Sequence, residues 1–124
     1  MDLIWIGLGG FGGAIARYLV DTSVASRFGG AFPWGTLVVN LSGSLVLGLL
    51  FALVTERAQL PAALRGPAMI GFVGAYTTFS TLMLETWRLA EDGALALAAA
   101  NAVGSVLLGL VALLVGLTIG RSLA

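Results

Sequence analysis

Long stretches free of charged side chains constrain this chain more than any other feature. A helix that crosses the hydrocarbon core of a bilayer needs about 20 largely apolar residues at about 1.5 Å rise each. Four windows qualify: residues 3–20, 34–55, 66–84 and 93–120. The last three contain no charge, the first contains only Arg17, close to its end, and every Asp and Glu lies outside all four. The composition agrees, because 10% of the 124 residues are charged and 59% hydrophobic, whereas soluble domains carry about 25% charged residues. A water-soluble fold of this length lacks the polar surface to cover itself. The expected fold is therefore all-α and integral to the membrane, one domain over residues 1–124 with four transmembrane helices.

The connections between windows read as membrane-boundary loops. Residues 21–33 carry Gly29, Gly30 and Pro33, residues 56–65 carry three charges and Pro61, and residues 85–92 carry four charges. Each is short, which predicts antiparallel neighbours in contact. Pro67 falls near the start of the third window, where a missing backbone N–H costs little. The apolar run Leu3–Leu8 has no basic flank and continues past any cleavage site, so it predicts a first span rather than a removed leader. Six basic and six acidic residues leave no net charge, and nothing here would steer nucleic acid to the surface. With no Cys and no His, the usual thiol nucleophiles, metal ligands and general bases are missing.

Two patterns bear on assembly. Basic residues divide almost evenly between the two sides, with Arg57, Arg65 and Arg121 against Arg27, Arg88 and the nearby Arg17. That bias is too weak to fix an orientation and is what a chain inserting both ways would show. Many of the 18 glycines fall inside the windows, among them Gly9, Gly13, Gly43, Gly48, Gly109 and Gly116. Small residues at such spacing let helix backbones approach closely in lipid. Gly7, Gly9 and Gly12 also match a dinucleotide-binding G-x-G-x-x-G, but the second strand and the acidic residue that such a unit requires are absent downstream.

The polar residues inside the windows are the candidates for chemistry. Thr36, Asn40 and Ser44 recur at four-residue spacing and share one face of the second helix. An amide at that depth must find a partner or face water, so Asn40 either bonds a neighbouring helix or lines a polar path. In the third window, Thr77, Thr78, Ser80 and Thr81 surround Phe79, with Gly71 and Gly74 just before them. Hydroxyls compete for backbone bonds and β-branched residues resist the helix, so this density favours a break near the middle of the third helix. Non-helical backbone at membrane depth persists only inside protein or beside a cavity, where freed carbonyls can hold a cation. The ordinary alternative is an intact helix whose hydroxyls bond back to their own turn. The fourth window offers a thinner stripe of Asn101, Ser105 and Gly109. Arg17 either snorkels to the interface or lends positive potential to an aqueous vestibule.

These segments resemble the Fluc family of fluoride channels, also called the CrcB family. The likeness spans nearly the whole chain and rests on GGFGGAIARY at residues 9–18, GTLVVNLSG at 35–43 and GFVGAYTTFST at 71–81. The resemblance implies a passive, fluoride-selective ion channel of the cell inner membrane that confers resistance to fluoride. It also implies an antiparallel, dual-topology homodimer in the lipid bilayer with two fluoride pathways. Asn40 resembles the family's pore asparagine, Phe79 the first phenylalanine of its TTFSTF box and Arg17 its first-helix arginine. Gly74 and Thr77 match positions whose backbone carbonyls hold a central sodium ion, while Thr78 and Ser105 match hydroxyl positions near the pathway. Two departures stand out. Leu82 replaces the second phenylalanine of the box, and Asn101 stands where a tyrosine is frequent.

Rival functions fit the residues less well. A small four-helix drug/proton exchanger usually needs an intramembrane carboxylate, and no window holds one. A membrane enzyme lacks converging catalytic groups, so no enzymatic activity is expected. A purely structural subunit suits the glycine packing equally well, and fluoride efflux would separate it from a channel.

Overall fold

The computed structural model describes residues 2–123, all of its regular structure helical. Helix α1 spans Leu3–Phe28, α2 Trp34–Leu50, α3 Gly74–Tyr76, α4 Phe79–Glu91 and α5 Leu95–Leu123. Helix α2 runs on into π-helical turns at Phe51–Glu56, and α3 is preceded by a 3₁₀ turn at Ala62–Leu64 and a π-helical stretch at Arg65–Val73. These pieces make four helices long and apolar enough to cross a membrane: Leu3–Phe28, Trp34–Glu56, Ala62–Glu91 and Leu95–Leu123.

Local chemistry sets the ends. The Asp2 carboxylate caps α1, accepting from the Ile4 N–H at 2.9 Å, and so satisfies one of the four N–H groups a helix start leaves free. The helix then outruns its apolar window. Thr22 and Ser26 sit in it with hydroxyls that donate back to the Tyr18 and Ser23 carbonyls, and it stops only where Gly29 takes φ +56°, a conformation that favours glycine. Phe32 stacks obliquely on Trp34, ring centroids 4.7 Å apart, with Phe28 6.1 Å from the same indole. Aromatic rings belong at this headgroup level. At the opposite end, Arg121 grips Glu56 with two bonds of 2.8 Å and ties the end of α5 to the end of the second span.

Packing proceeds through backbone contact. A Cβ on Gly9 or Gly13 would strike the carbonyls of Pro67 or Phe72, and one on Gly71 would strike that of Ile6, so α1 lies directly on Arg65–Val73. Likewise a Cβ on Gly48 would meet Leu113, and one on Gly116 would meet Leu45, so α2 lies directly on α5. In both pairs the residue numbers rise together, and the paired helices run parallel. These are the two most extensive packings in the molecule, while α4 packs chiefly on α5. The first and second halves of the third span thus belong to different neighbours.

The interior holds polar side chains beside its apolar ones, and the outward faces are apolar. Of the three bulkiest wholly buried side chains, Val39, Asn101 and Thr36, two are polar. The outward faces carry Leu3, Trp5, Leu8, Phe11 and Ile15 on α1 and Val103, Val106, Leu110 and Leu114 on α5. Lipid tails are as apolar as leucine, so burying these would gain little. Cohesion rests on close backbone approach and internal hydrogen bonds.

Candidate functional site

Between α3 and α4 the backbone is extended at two residues, Thr77 (φ −81°, ψ 157°) and Thr78 (φ −148°, ψ 122°). A non-helical pair at this depth must have its polar groups satisfied from outside the helix, and named side chains do so. Asn40 on α2 holds the Thr78 residue from both sides: its Nδ2 donates to the Thr78 carbonyl at 3.0 Å, and its Oδ1 accepts from the Thr78 N–H at 2.8 Å. The Arg17 Nε donates to the Ala75 carbonyl at 3.2 Å. Thr77 returns both its N–H and its hydroxyl to the Val73 carbonyl, each at 3.1 Å. The Thr78 hydroxyl caps α4 by accepting from the Thr81 N–H at 3.2 Å. Two residues along α2, Ser42 meets the Tyr76 hydroxyl at 2.9 Å.

Gly43 makes room for this arrangement, because a Cβ there would collide with the Thr77 methyl and the Tyr76 ring. The result is an open groove of about 250 Å³ lined by Asn40, Ser44, Thr77, Thr78, Phe79 and Leu82, with no formal charge among them. Phe79 is 73% exposed and Leu82 6%, so the ring stands free while the leucine closes the floor. A small cavity next to the groove, about 10 Å³, shares Thr78 with it and is bounded by Arg17, Asp21, Thr36 and Thr81. Asp21 also lines a larger cavity, about 340 Å³, at the mouth of the helices, where Glu85, Arg88 and Asp92 gather with Trp34. Polar groups therefore follow one another from the mouth to mid-span.

The structure brings Asn40, Ser44, Thr77, Thr78, Phe79 and Leu82 together around the groove and sets Thr36 and Arg17 at the adjoining cavity. Ser105 lines neither cavity and is buried on α5. Gly74 is exposed and lines none of these cavities. Sequence reasoning did not foresee Ser42 with Tyr76, or the bond from the Asn101 Nδ2 to the Thr86 hydroxyl at 2.9 Å. Tyr76 lies inside the quoted third motif, but no spacing rule pairs it with Ser42. Among the described residues no group of three or more His, Asp or Glu side chains is placed to bind a metal.

Fold and groove together define a multi-pass membrane protein whose uncharged polar groups meet an unwound stretch of backbone at mid-span. The family model described as "CrcB-like protein, Camphor Resistance (CrcB)" matches residues 4–117. The chain is 49% identical over 121 residues to the fluoride-specific ion channel FluC of Magnetococcus marinus, covering 98% of each. It is 43% identical over 121 residues to the protein of that name from Solibacter usitatus, covering 98% of this chain and 99% of the other. With the fluoride-specific ion channel FluC 2 of Mycobacterium bovis it shares 53% identity over 116 residues, covering 91% and 87%. This chain belongs to the CrcB family.

Proposed function

We propose that the protein is a fluoride-selective channel, exporting fluoride passively across the cell inner membrane and so relieving its toxicity. The observation that carries this reading is the set of neutral dipoles around the groove. A primary amide has two N–H groups. At Asn40 one is spent on Thr78, which fixes the plane of the amide and leaves the second as an oriented donor. Phe79, beside it, carries positive charge density on its ring edge. The Thr78 hydroxyl accepts from Thr81 and keeps its own hydrogen to donate, and the Ser44 hydroxyl completes the rim. A small anion can exchange hydration water for such donors, whereas a fixed positive charge at the same depth would hold it too tightly to leave. The Arg17 guanidinium, bonded to the Ala75 carbonyl, lends positive potential from the adjoining cavity beside Thr36. Ser105 contributes from α5.

The extended pair Thr77–Thr78 serves as the break in the third span. None of the hydrogen bonds that cross it ends on the carbonyl of Gly74 or Thr77. These oxygens suit a sodium ion, which would neutralise their negative ends and hold two break regions together. An exposed aromatic beside an open polar groove also suits a second copy of the chain, and the even basic-residue count suits one inserted the other way. The assembly that follows is an antiparallel homodimer with sodium at its centre and two fluoride pathways. Conduction needs no catalytic group and no energy source. Proteoliposomes of purified protein are expected to release fluoride rapidly and chloride negligibly. Fluoride retention by vesicles containing correctly inserted protein would overturn the reading.

A further inference from the structure

Three buried side-chain atoms lack a hydrogen-bond partner among the described residues, and all lie on α4 or α5: Glu85 Oε1, Asn101 Oδ1 and Ser105 Oγ. An orphan of this kind is costly, and its presence calls for an unseen partner. Asn101 and Ser105 sit one turn apart on the same face of α5, only 1% and 7% exposed. Asn101 is held in place because its Nδ2 donates to the Thr86 hydroxyl at 2.9 Å, which in turn donates to the Leu82 carbonyl at 2.8 Å. The amide cannot turn over without breaking that relay, so its carbonyl oxygen must be satisfied where it stands. Asn101 Oδ1 only accepts hydrogen bonds, and the serine hydroxyl both donates and accepts. An anion in direct contact with Oδ1 would be repelled, and two neutral oxygens are too few for a cation. The occupant that fits is one that donates to the amide and accepts from the serine.

We infer that the seam between α4 and α5 binds one ordered water molecule between Asn101 Oδ1 and Ser105 Oγ, and that its second hydrogen serves the permeating anion. Register supports the second part. Gly109 lies against Ser44, and α2 and α5 run parallel, so one turn earlier Ser105 stands level with Asn40. Glu85, the chain neighbour of Thr86 on α4, lines the cavity at the mouth. The water site stands on the two orphaned atoms, and its role toward fluoride rests on the channel reading above.

The test combines a crystal structure that reveals ordered water with fluoride efflux from proteoliposomes. Water within hydrogen-bond distance of both atoms is expected in the wild type. Asn101→Leu and Ser105→Ala should each slow efflux about tenfold, and the double variant should be no slower than either, because both atoms hold one molecule. Ser105→Thr keeps the hydroxyl and should restore efflux. Should Asn101→Leu fail to assemble, Ser105→Ala, which removes a single atom, still decides. A dry seam in the wild type, or losses that multiply in the double variant, would overturn the proposal. Wild-type vesicles that hold fluoride although the water is seen would overturn the channel reading and leave the water site standing.

Discussion

Asn40 is committed at both ends of its amide, and that commitment separates two ways of damaging it. Asn40→Leu leaves the Thr78 N–H and carbonyl unpaired at depth, which is expected to destabilise the protein by about 1–3 kcal/mol, seen as a lower melting temperature in detergent. Asn40→Asp keeps an acceptor for the Thr78 N–H but turns a second oxygen toward the Thr78 carbonyl and sets a negative charge beside the groove. Fluoride efflux should fall about ten- to a hundredfold, measured with an ion-selective electrode, and a variant conducting normally would refute the role. The sequence placed Asn40 on the polar stripe and left open whether it braces a neighbour or lines a path. The geometry shows that it braces one, because the stripe of Thr36, Asn40 and Ser44 faces the extended pair. No spacing rule could reveal that the partner would be a peptide unit. Leu82 is a simpler case: it has no ring quadrupole, so Leu82→Phe adds a positive edge to the groove floor. Flux should change modestly with the preference for fluoride over chloride intact, and a loss of that preference in paired efflux assays would count against Phe79 and Asn40 as the selective groups.

At the scale of elements, glycine decides what can lie on what. Gly13 faces the Phe72 carbonyl with no room for a methyl group, while Gly7, two turns earlier on the same helix, has nothing within 4 Å of its Cβ position. Gly13→Ala should therefore cost about 1–3 kcal/mol through overpacking, whereas Gly7→Ala should be neutral or gain up to about 1 kcal/mol from helix propensity. Thermal unfolding of the two variants in one detergent checks the contrast, and equal losses would mean that packing is not the cause. The charge-free windows located the spans because a bilayer tolerates little else. They did not foretell that α1 would continue to Phe28 or that Arg65–Val73 would take π-helical turns. Neither feature leaves a periodic trace in the sequence.

For the whole molecule, orientation is the property the chain leaves most balanced. Free of cysteine, it accepts a single engineered one as its sole thiol. With a cysteine at Ala58, in the loop after the second span, an impermeant reagent applied to sealed vesicles should label about half the protein if insertion is dual. Labelling of nearly all or none would exclude the antiparallel dimer. The architecture within one copy is less balanced. Helix α1 packs most extensively on Arg65–Val73 and α2 on α5, and the third span passes from the first pair toward the second at Thr77 and Thr78. Two extended residues reach at most about 7 Å, so this tether has almost no slack. The two extended peptides therefore hold the packed pairs at a nearly fixed separation, and Phe79 follows them directly in the chain.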